Sequence, residues 1–190
     1  MTAGLILAAG ESRRMGSPKA LLAYRGESFL ETLTGLLARV CSPVIVVLGA
    51  EAERIRAGIA RPAIFVHNQD YRRGQTSSLQ CGLRALPAAA DGVLFALVDH
   101  PAVAPETLDR LLEPGGPERV RIPRFHGQKG HPIWFSRDLI PEFLALPAGG
   151  AARDVVRAHT SETAFLDVED QGILADIDDP EAYRRLMGTV

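Results

Sequence analysis

Four short, unbroken apolar runs stand out along the chain, at residues 5–9, 44–48, 63–66 and 93–98. None of them alternates polar with apolar positions. Strands buried on both faces need no alternation, so the runs predict a parallel sheet covered by helices. Between them lie amphipathic segments. Ser28-Phe29-Leu30-Glu31 has the form of a capping box, and Leu33, Leu36, Leu37 and Val40 follow at helical spacing. Residues 76–86 put Leu79, Leu83 and Leu86 on one stripe, and Pro105 fits the first turn of a helix carrying Leu108, Leu111 and Leu112. Strands alternating with helices imply right-handed crossovers and a three-layer α/β/α sandwich. In such folds ligands gather at the carboxyl ends of the strands.

The second half is less regular. Pro114-Gly115-Gly116-Pro117 breaks the pattern, and a hairpin is expected next, with residues 120–122 and 133–135 as its arms. Its polar, Gly-rich loop, residues 125–132, is placed to overhang the strand ends and hold a substrate. Residues 172–187 read as a short strand, then Asp179 as a cap, Pro180 in the first turn and a final helix.

Composition narrows the setting. At 190 residues, with 46% hydrophobic, the chain suits one compact domain with a full core. A formal charge of −2 gives no general pull toward nucleic acid or anionic membranes. Cys41 and Cys81 are far apart and lack metal-ligand spacing, as expected of a reduced cytoplasmic protein. The apolar start has no basic flank, which argues against a secretory signal, and no run is long enough to span a bilayer.

The first loop carries the most chemistry. In Leu7-Ala8-Ala9-Gly10-Glu11-Ser12-Arg13-Arg14-Met15-Gly16-Ser17-Pro18-Lys19, Gly10 follows a buried strand and lets the backbone turn with its amides exposed. Ala8 and Ala9 are small enough for a flat base or ribose to lie against the main chain. Arg14 and Lys19 add cations, as departing pyrophosphate requires. The spacing is neither a Walker loop nor a dinucleotide fingerprint. Ordinary turn glycines beside solvated arginines are the plainer alternative.

A carboxylate, Asp99, ends the fourth apolar run, where ligands bind, and suits Mg²⁺ among phosphate oxygens. Capping the helix at Pro105 is its structural alternative. His100 reads as wall. Residues 68–79 open a helix with polar side chains and free amides able to read a base edge; Ser77 and Ser78 otherwise serve as caps. His131 lies in a turn where a lone histidine is commonly structural. His67, His126 and His159 show no triad or zinc spacing.

The run L-A-A-G-x-S-x-R-M-G-x-x-K resembles the signature of the MobA-like nucleotidyltransferases, nearest the molybdenum cofactor cytidylyltransferases, and the resemblance spans essentially the whole chain. It implies a mostly parallel, mixed sheet like that of the nucleotide-diphospho-sugar transferases. A nucleotide-binding half, residues 1–112, and an acceptor-binding half, 113–190, would share one domain. Leu7, Ala8, Ala9, Gly10 and Ser12 would line the nucleotide, and Arg14 and Lys19 would contact phosphates. The guanylyltransferase branch typically has L-A-G-G, so Ala9 favours CTP. Asp99 matches the family's Asp-x-Pro metal site for Mg²⁺. The family's N-x5-G-x3-S-L pattern brings in Gly74, Gln75, Ser77 and Ser78. Gly127-Gln128-Lys129-Gly130-His131-Pro132 resembles its G-x-x-G-H-P segment, with His131 toward the acceptor. Before Gly150-Ala151-Ala152-Arg153 the acid found in relatives is missing, though Arg153 stays a candidate for the acceptor phosphate. Asp176-Ile177-Asp178-Asp179-Pro180-Glu181 matches a D-I-D-T-P-E ending, which makes Asp176 or Asp178 a candidate second metal ligand, with plain helix capping by Asp178 and Asp179 the alternative. The implied acceptor is molybdopterin, and the implied partner a molybdenum hydroxylase or its maturation factor. Guanylyltransferase, sugar-phosphate nucleotidyltransferase and non-catalytic cofactor carrier are the alternatives.

Overall fold

The computed structural model describes residues 1–113 and 115–188. Strand β1 (Thr2–Ala8) leads through an irregular loop to a 3-10 turn at Lys19–Leu21. The two-residue strands β2 (Ala23–Tyr24) and β3 (Glu27–Ser28) then bring the chain to α1 (Phe29–Ala38). Next come β4 (Val44–Leu48), α2 (Ala52–Ala57), β5 (Ile64–His67), α3 (Gln75–Arg84), β6 (Gly92–Leu97) and α4 (Pro105–Leu112). The remainder supplies β7 (Val120–Phe125), β8 (Gln128–Lys129), β9 (Ile133–Ser136), α5 (Ile140–Ala145), α6 (Ala152–Ala158), β10 (Thr163–Asp167) and α7 (Pro180–Gly188).

The main sheet has the order β10-β7-β9-β6-β1-β4-β5, with β8 paired to β7. Its centre is parallel, β1 lying between β6 and β4, while β9 runs antiparallel to both β6 and β7. This is the α/β/α sandwich that the apolar pattern implies, with the mostly parallel, mixed sheet that the family resemblance implies. Because β6 pairs with β9, one sheet runs through both halves of the chain.

Side chains of successive strand residues alternate between two cores. Leu5, Leu7, Ile45, Val47, Val93 and Phe95 pack under Leu79 and Leu83 of α3 and Phe143 of α5. Ile6, Ala8, Val46, Leu48, Leu94 and Ala96 pack under α1, α2 and α4 through Leu33, Leu37, Ile55, Leu108 and Leu111. Both faces of the central strands are therefore covered, which is why their sequences lack polar positions. A smaller cluster joins Tyr24 and Phe29 to Ile177, Ala182 and Leu186, fastening α7 beside the start of α1. No helix among the described residues is long and apolar enough to cross a membrane.

Several expectations need correction. Only half of the capping box forms: Ser28 Oγ accepts from the Glu31 amide at 3.2 Å, but the Glu31 carboxylate turns to the Ala60 amide instead. The expected hairpin arms do pair, Val120 with Phe135 and Arg121 with Trp134, yet they are interior members of the main sheet rather than an overhang. Of the break at 114–117, Pro114 lies outside the described residues. The strand expected at Gly172 is a 3-10 turn, Gln171–Leu174, and β10 forms one edge of the sheet, opposite β5. Two contacts wind that segment. Asp170 accepts from the Gly172 amide at 2.8 Å, and a Cβ on Gly172 would lie only 2.1 Å from the Ala102 carbonyl oxygen. Asp179 caps α7 as expected, accepting from the Ala182 amide at 2.8 Å.

Candidate active site

The carboxyl ends of β1 and β6 and the start of α3 border a cleft of about 560 Å³. Leu7, Ala8, Ala9, Gly10 and Ser12 all line it. Leu7, Ala8 and Ala9 are almost fully buried, so this floor offers mainly backbone to a ligand. The Ala9 carbonyl accepts from the Ala50 amide at 3.1 Å, which prolongs the strand pairing one residue beyond β1. Gly49 allows this close approach: a Cβ there would stand 2.6 Å from the Ala9 oxygen and from Tyr71 Cβ. A Cβ on Gly10 would meet nothing within 4 Å. The protein itself does not demand glycine there, and the open space belongs to the cleft.

The loop is shaped around Ser12, a non-glycine residue at φ 50°. Its Oγ accepts from the Lys19 amide at 3.0 Å, and its carbonyl accepts from Met15. That ties the two ends of the loop and aims Lys19 inward. Lys19 Nζ donates to Asp178 and lies 3.4 Å from Asp99 Oδ2. Arg14 Nη2 donates to the same Asp178 at 2.6 Å. The hydrogen bond from Lys19, seconded by Arg14, holds the Asp178 carboxyl below the usual carboxylate range. The loop cations thus converge on one carboxylate at the cleft mouth, where phosphate oxygens would find the same donors.

Asp99 follows β6, and its carbonyl accepts from the Ile177 amide at 2.9 Å, so residues 176–178 are drawn alongside it. Asp99 Oδ1 is buried and has no hydrogen-bond partner. Ligand atoms of Asp99, His100 and Asp176 lie within 4.8 Å of one another. Burial, followed by repulsion from Asp99 and Asp178, raises the Asp176 pKa. Two carboxylates that repel each other, one with an orphaned oxygen, fit a divalent cation. Asp178 is not in this group; it is engaged by Lys19 and Arg14.

Gly74, Gln75 and Ser78 line the cleft, while Ser77 does not. Ser77 Oγ donates to carbonyls of Asp70 and Gly74 and accepts from Asn68 Nδ2 at 3.0 Å. The same Asn68 amide donates to Ser78 Oγ at 3.0 Å. A buried asparagine therefore locks the start of α3, whose N-cap is Gly74 with no side-chain cap. His131 is packed behind the cleft wall, its ring 5.7 Å from Phe95 and 5.2 Å from His100. Burial, and then His100, lowers its pKa to about 4, so it is a neutral wall residue in this conformation. Arg153 is exposed on α6 and is also outside the lining. Three residues earlier, the Gly150 carbonyl accepts from Thr76 Oγ1 at 2.5 Å, which joins this segment to the start of α3.

Sequence reasoning missed Tyr71, Arg72, Ile55 and the bridging role of Glu11, all in the lining. Arg72 Nε donates to Glu11 Oε1 at 3.2 Å, joining the opposite lips of the cleft. Tyr71 and Arg72 lie in a 3-10 turn and Ile55 on the short α2, and neither element has a hydrophobic period long enough to read. An aromatic residue beside arginines just after a strand was the one available signal.

Comparison with known proteins agrees with this geometry. The model of the MobA-like NTP transferase domain matches residues 4–163. Nicotine blue oxidoreductase of Paenarthrobacter nicotinovorans is 33% identical over 97% of this chain and 95% of its own length. Purine catabolism protein PucB of Bacillus subtilis is 34% identical over 95% and 93%. A probable molybdenum cofactor guanylyltransferase of Mycobacterium avium is 30% identical over 97% and 94%. Among solved structures, Rv0371c of Mycobacterium tuberculosis superposes with a TM-score of 0.87 at 30% identity, covering 98% of this chain and 97% of that one. Its complex with manganese superposes with a TM-score of 0.80 at 29% identity, covering 100% and 99%. The chain belongs to the MobA-like NTP transferase family and is, by that membership, a nucleotidyltransferase.

Proposed function

We propose that the chain transfers CMP from CTP to a phosphorylated acceptor, molybdopterin, and releases pyrophosphate. The observation that carries this reading is the meeting of Lys19 with Asp99, 3.4 Å apart, at the end of a backbone-floored cleft. A base and ribose rest on Leu7, Ala8, Ala9 and Gly10 and beside Ser12, and Gly74, Gln75 and Ser78 form the opposite wall, which Ser77 braces from behind. Arg14 and Lys19 exchange their Asp178 partner for phosphate oxygens, so their hydrogen bonds are preformed and need little reorganisation. A bound magnesium ion, held by Asp99 with Asp176 or a released Asp178, would neutralise charge on the phosphates.

The acceptor phosphate is already anionic, so attack on the α-phosphate needs no general base. Catalysis then comes from positioning and charge neutralisation. Residues 1–112 take the nucleotide and residues 113–190 take the acceptor, with His131 and Arg153 on the acceptor side. His131 has to turn out of its buried place to do so. Ala9 supports CTP as donor. The relatives named for the molybdenum cofactor support a molybdopterin acceptor, and a cytoplasmic molybdenum hydroxylase or its maturation factor is the client that follows from such an acceptor.

A guanylyl donor is the rival with a specific basis, since a full-length relative is named a guanylyltransferase. Pyrophosphate release, followed with each of the four NTPs and with molybdopterin, a sugar phosphate or no acceptor, separates the two. Fastest release with CTP plus molybdopterin is the expected result. A preference for GTP overturns the donor assignment, and release that needs a sugar phosphate overturns the acceptor. No release with any pair leaves a carrier, and loss of nicotine blue colour in parallel samples tests the redox activity named for the Paenarthrobacter relative.

A further inference from the structure

We infer that His100 is a direct ligand of the divalent cation, giving this site a nitrogen donor and a preference for manganese over magnesium. The inference rests on the proposed nucleotidyl transfer only in assuming that a cation binds at Asp99. His100 follows Asp99 in the turn after β6 and is 7% exposed, yet its Nδ1 has no hydrogen-bond partner. Its Nε2 lies 3.8 Å from Asp99 Oδ1, itself buried and without a hydrogen-bond partner. With Asp176 these form a group of donors within 4.8 Å. Buried polar atoms are normally paired, and the orphaned Asp99 Oδ1 facing His100 Nε2 calls for a ligand that both can hold.

The donor set decides which ion fits. Carboxylates and water suit magnesium and manganese alike, whereas imidazole favours transition metals. Magnesium also dehydrates reluctantly and takes few protein ligands. A histidine between two aspartates therefore adds affinity for manganese and little for magnesium. The His131 ring lies 5.2 Å from the His100 ring, tilted by 46°, and packs beside it.

Two measurements on the nucleotide-free protein test this without reference to turnover. Titration calorimetry with Mn²⁺ and Mg²⁺ is expected to show manganese bound at least tenfold more tightly. His100→Asn is expected to remove most of that advantage while leaving magnesium affinity within about twofold. Pulsed electron paramagnetic resonance of the Mn²⁺-loaded wild type avoids any question of folding in a variant. It is expected to show coupling to one directly bound imidazole nitrogen, kept in His131→Asn and lost in His100→Asn. Manganese bound through oxygen alone, with affinity lost in Asp99→Asn but not in His100→Asn, overturns the inference and leaves the proposed activity standing. Manganese binding untouched by Asp99→Asn overturns both.

Discussion

Lys19 Nζ stands 3.4 Å from Asp99 Oδ2 although 80 residues separate them in the chain. Both side chains are mostly shielded from solvent, at 12% and 22% exposure. The parallel pairing of β1 with β6 makes the contact, because it ends both strands on the same side of the sheet. A lone cation and a lone carboxylate become one electrostatic unit through that topology.

Lys19→Ala and Asp99→Asn are each expected to lower nucleotidyl transfer by about 100- to 1,000-fold, the usual cost of removing a preorganised electrostatic partner. Neither residue belongs to a hydrophobic core cluster, so thermal unfolding of both variants should stay within a few degrees of wild type. Wild-type turnover in either variant would contradict the assigned roles.

Gly49→Ala places a Cβ 2.6 Å from the Ala9 carbonyl oxygen and from Tyr71. Backbone cannot yield as a flexible side chain does, so the cleft floor shifts. A loss of about 1–3 kcal/mol in stability is expected, as for overpacked sites, with a raised KM for the nucleotide. Denaturant unfolding and initial rates check the two parts separately. An unchanged KM would show that the Ala9 backbone does not bear on nucleotide binding.

Much of this was legible in the sequence, for identifiable reasons. The central strands announced themselves because burial on both faces leaves unbroken apolar runs such as Val44–Leu48. The loop cations and Asp99 stood out because chemistry placed them at strand ends. The edge of the sheet was hidden: β10 is only partly buried and its Thr-Ala-Phe-Leu-Asp pattern is weak. The short helices α2, α5 and α6 each span fewer than two turns, too few for a helical stripe. The burial of His131 was invisible, since only the fold brings Phe95 and His100 against it.

Asp170 is a structural counterpart to the site. It is 8% exposed and accepts from the Ala104 amide at 2.9 Å, Thr107 Oγ1 at 2.6 Å and the Gly172 amide at 2.8 Å. It thereby ties the start of α4 to the segment that carries Asp176 and Asp178. Asp170→Ala leaves three donors unpaired and is expected to cost about 2–4 kcal/mol, measured by urea unfolding. A change below about 0.5 kcal/mol would show that water replaces the carboxylate without penalty.

His159 makes stability depend on pH. Its Nε2 lies 2.8 Å from Glu142 Oε2 and its Nδ1 lies 2.5 Å from Glu162 Oε2, and these bonds, Glu142 first, raise its pKa above 6.5. A raised pKa in the folded state means that the charged imidazole stabilises fully below about pH 6.5. That contribution fades as pH rises through the folded value. His159→Gln is expected to lose up to about 1 kcal/mol at pH 5.5 and almost nothing from this source at pH 9. A loss that grows with pH would reverse the assignment.

The most direct test of the whole account is a crystal structure with a non-hydrolysable CTP analogue and Mg²⁺. The account predicts the base on the Ala8–Gly10 backbone, the triphosphate against Arg14 and Lys19 with Asp178 displaced, and the metal on Asp99. Nucleotide bound away from residues 7–19, with the Lys19–Asp178 pair still closed, would contradict it.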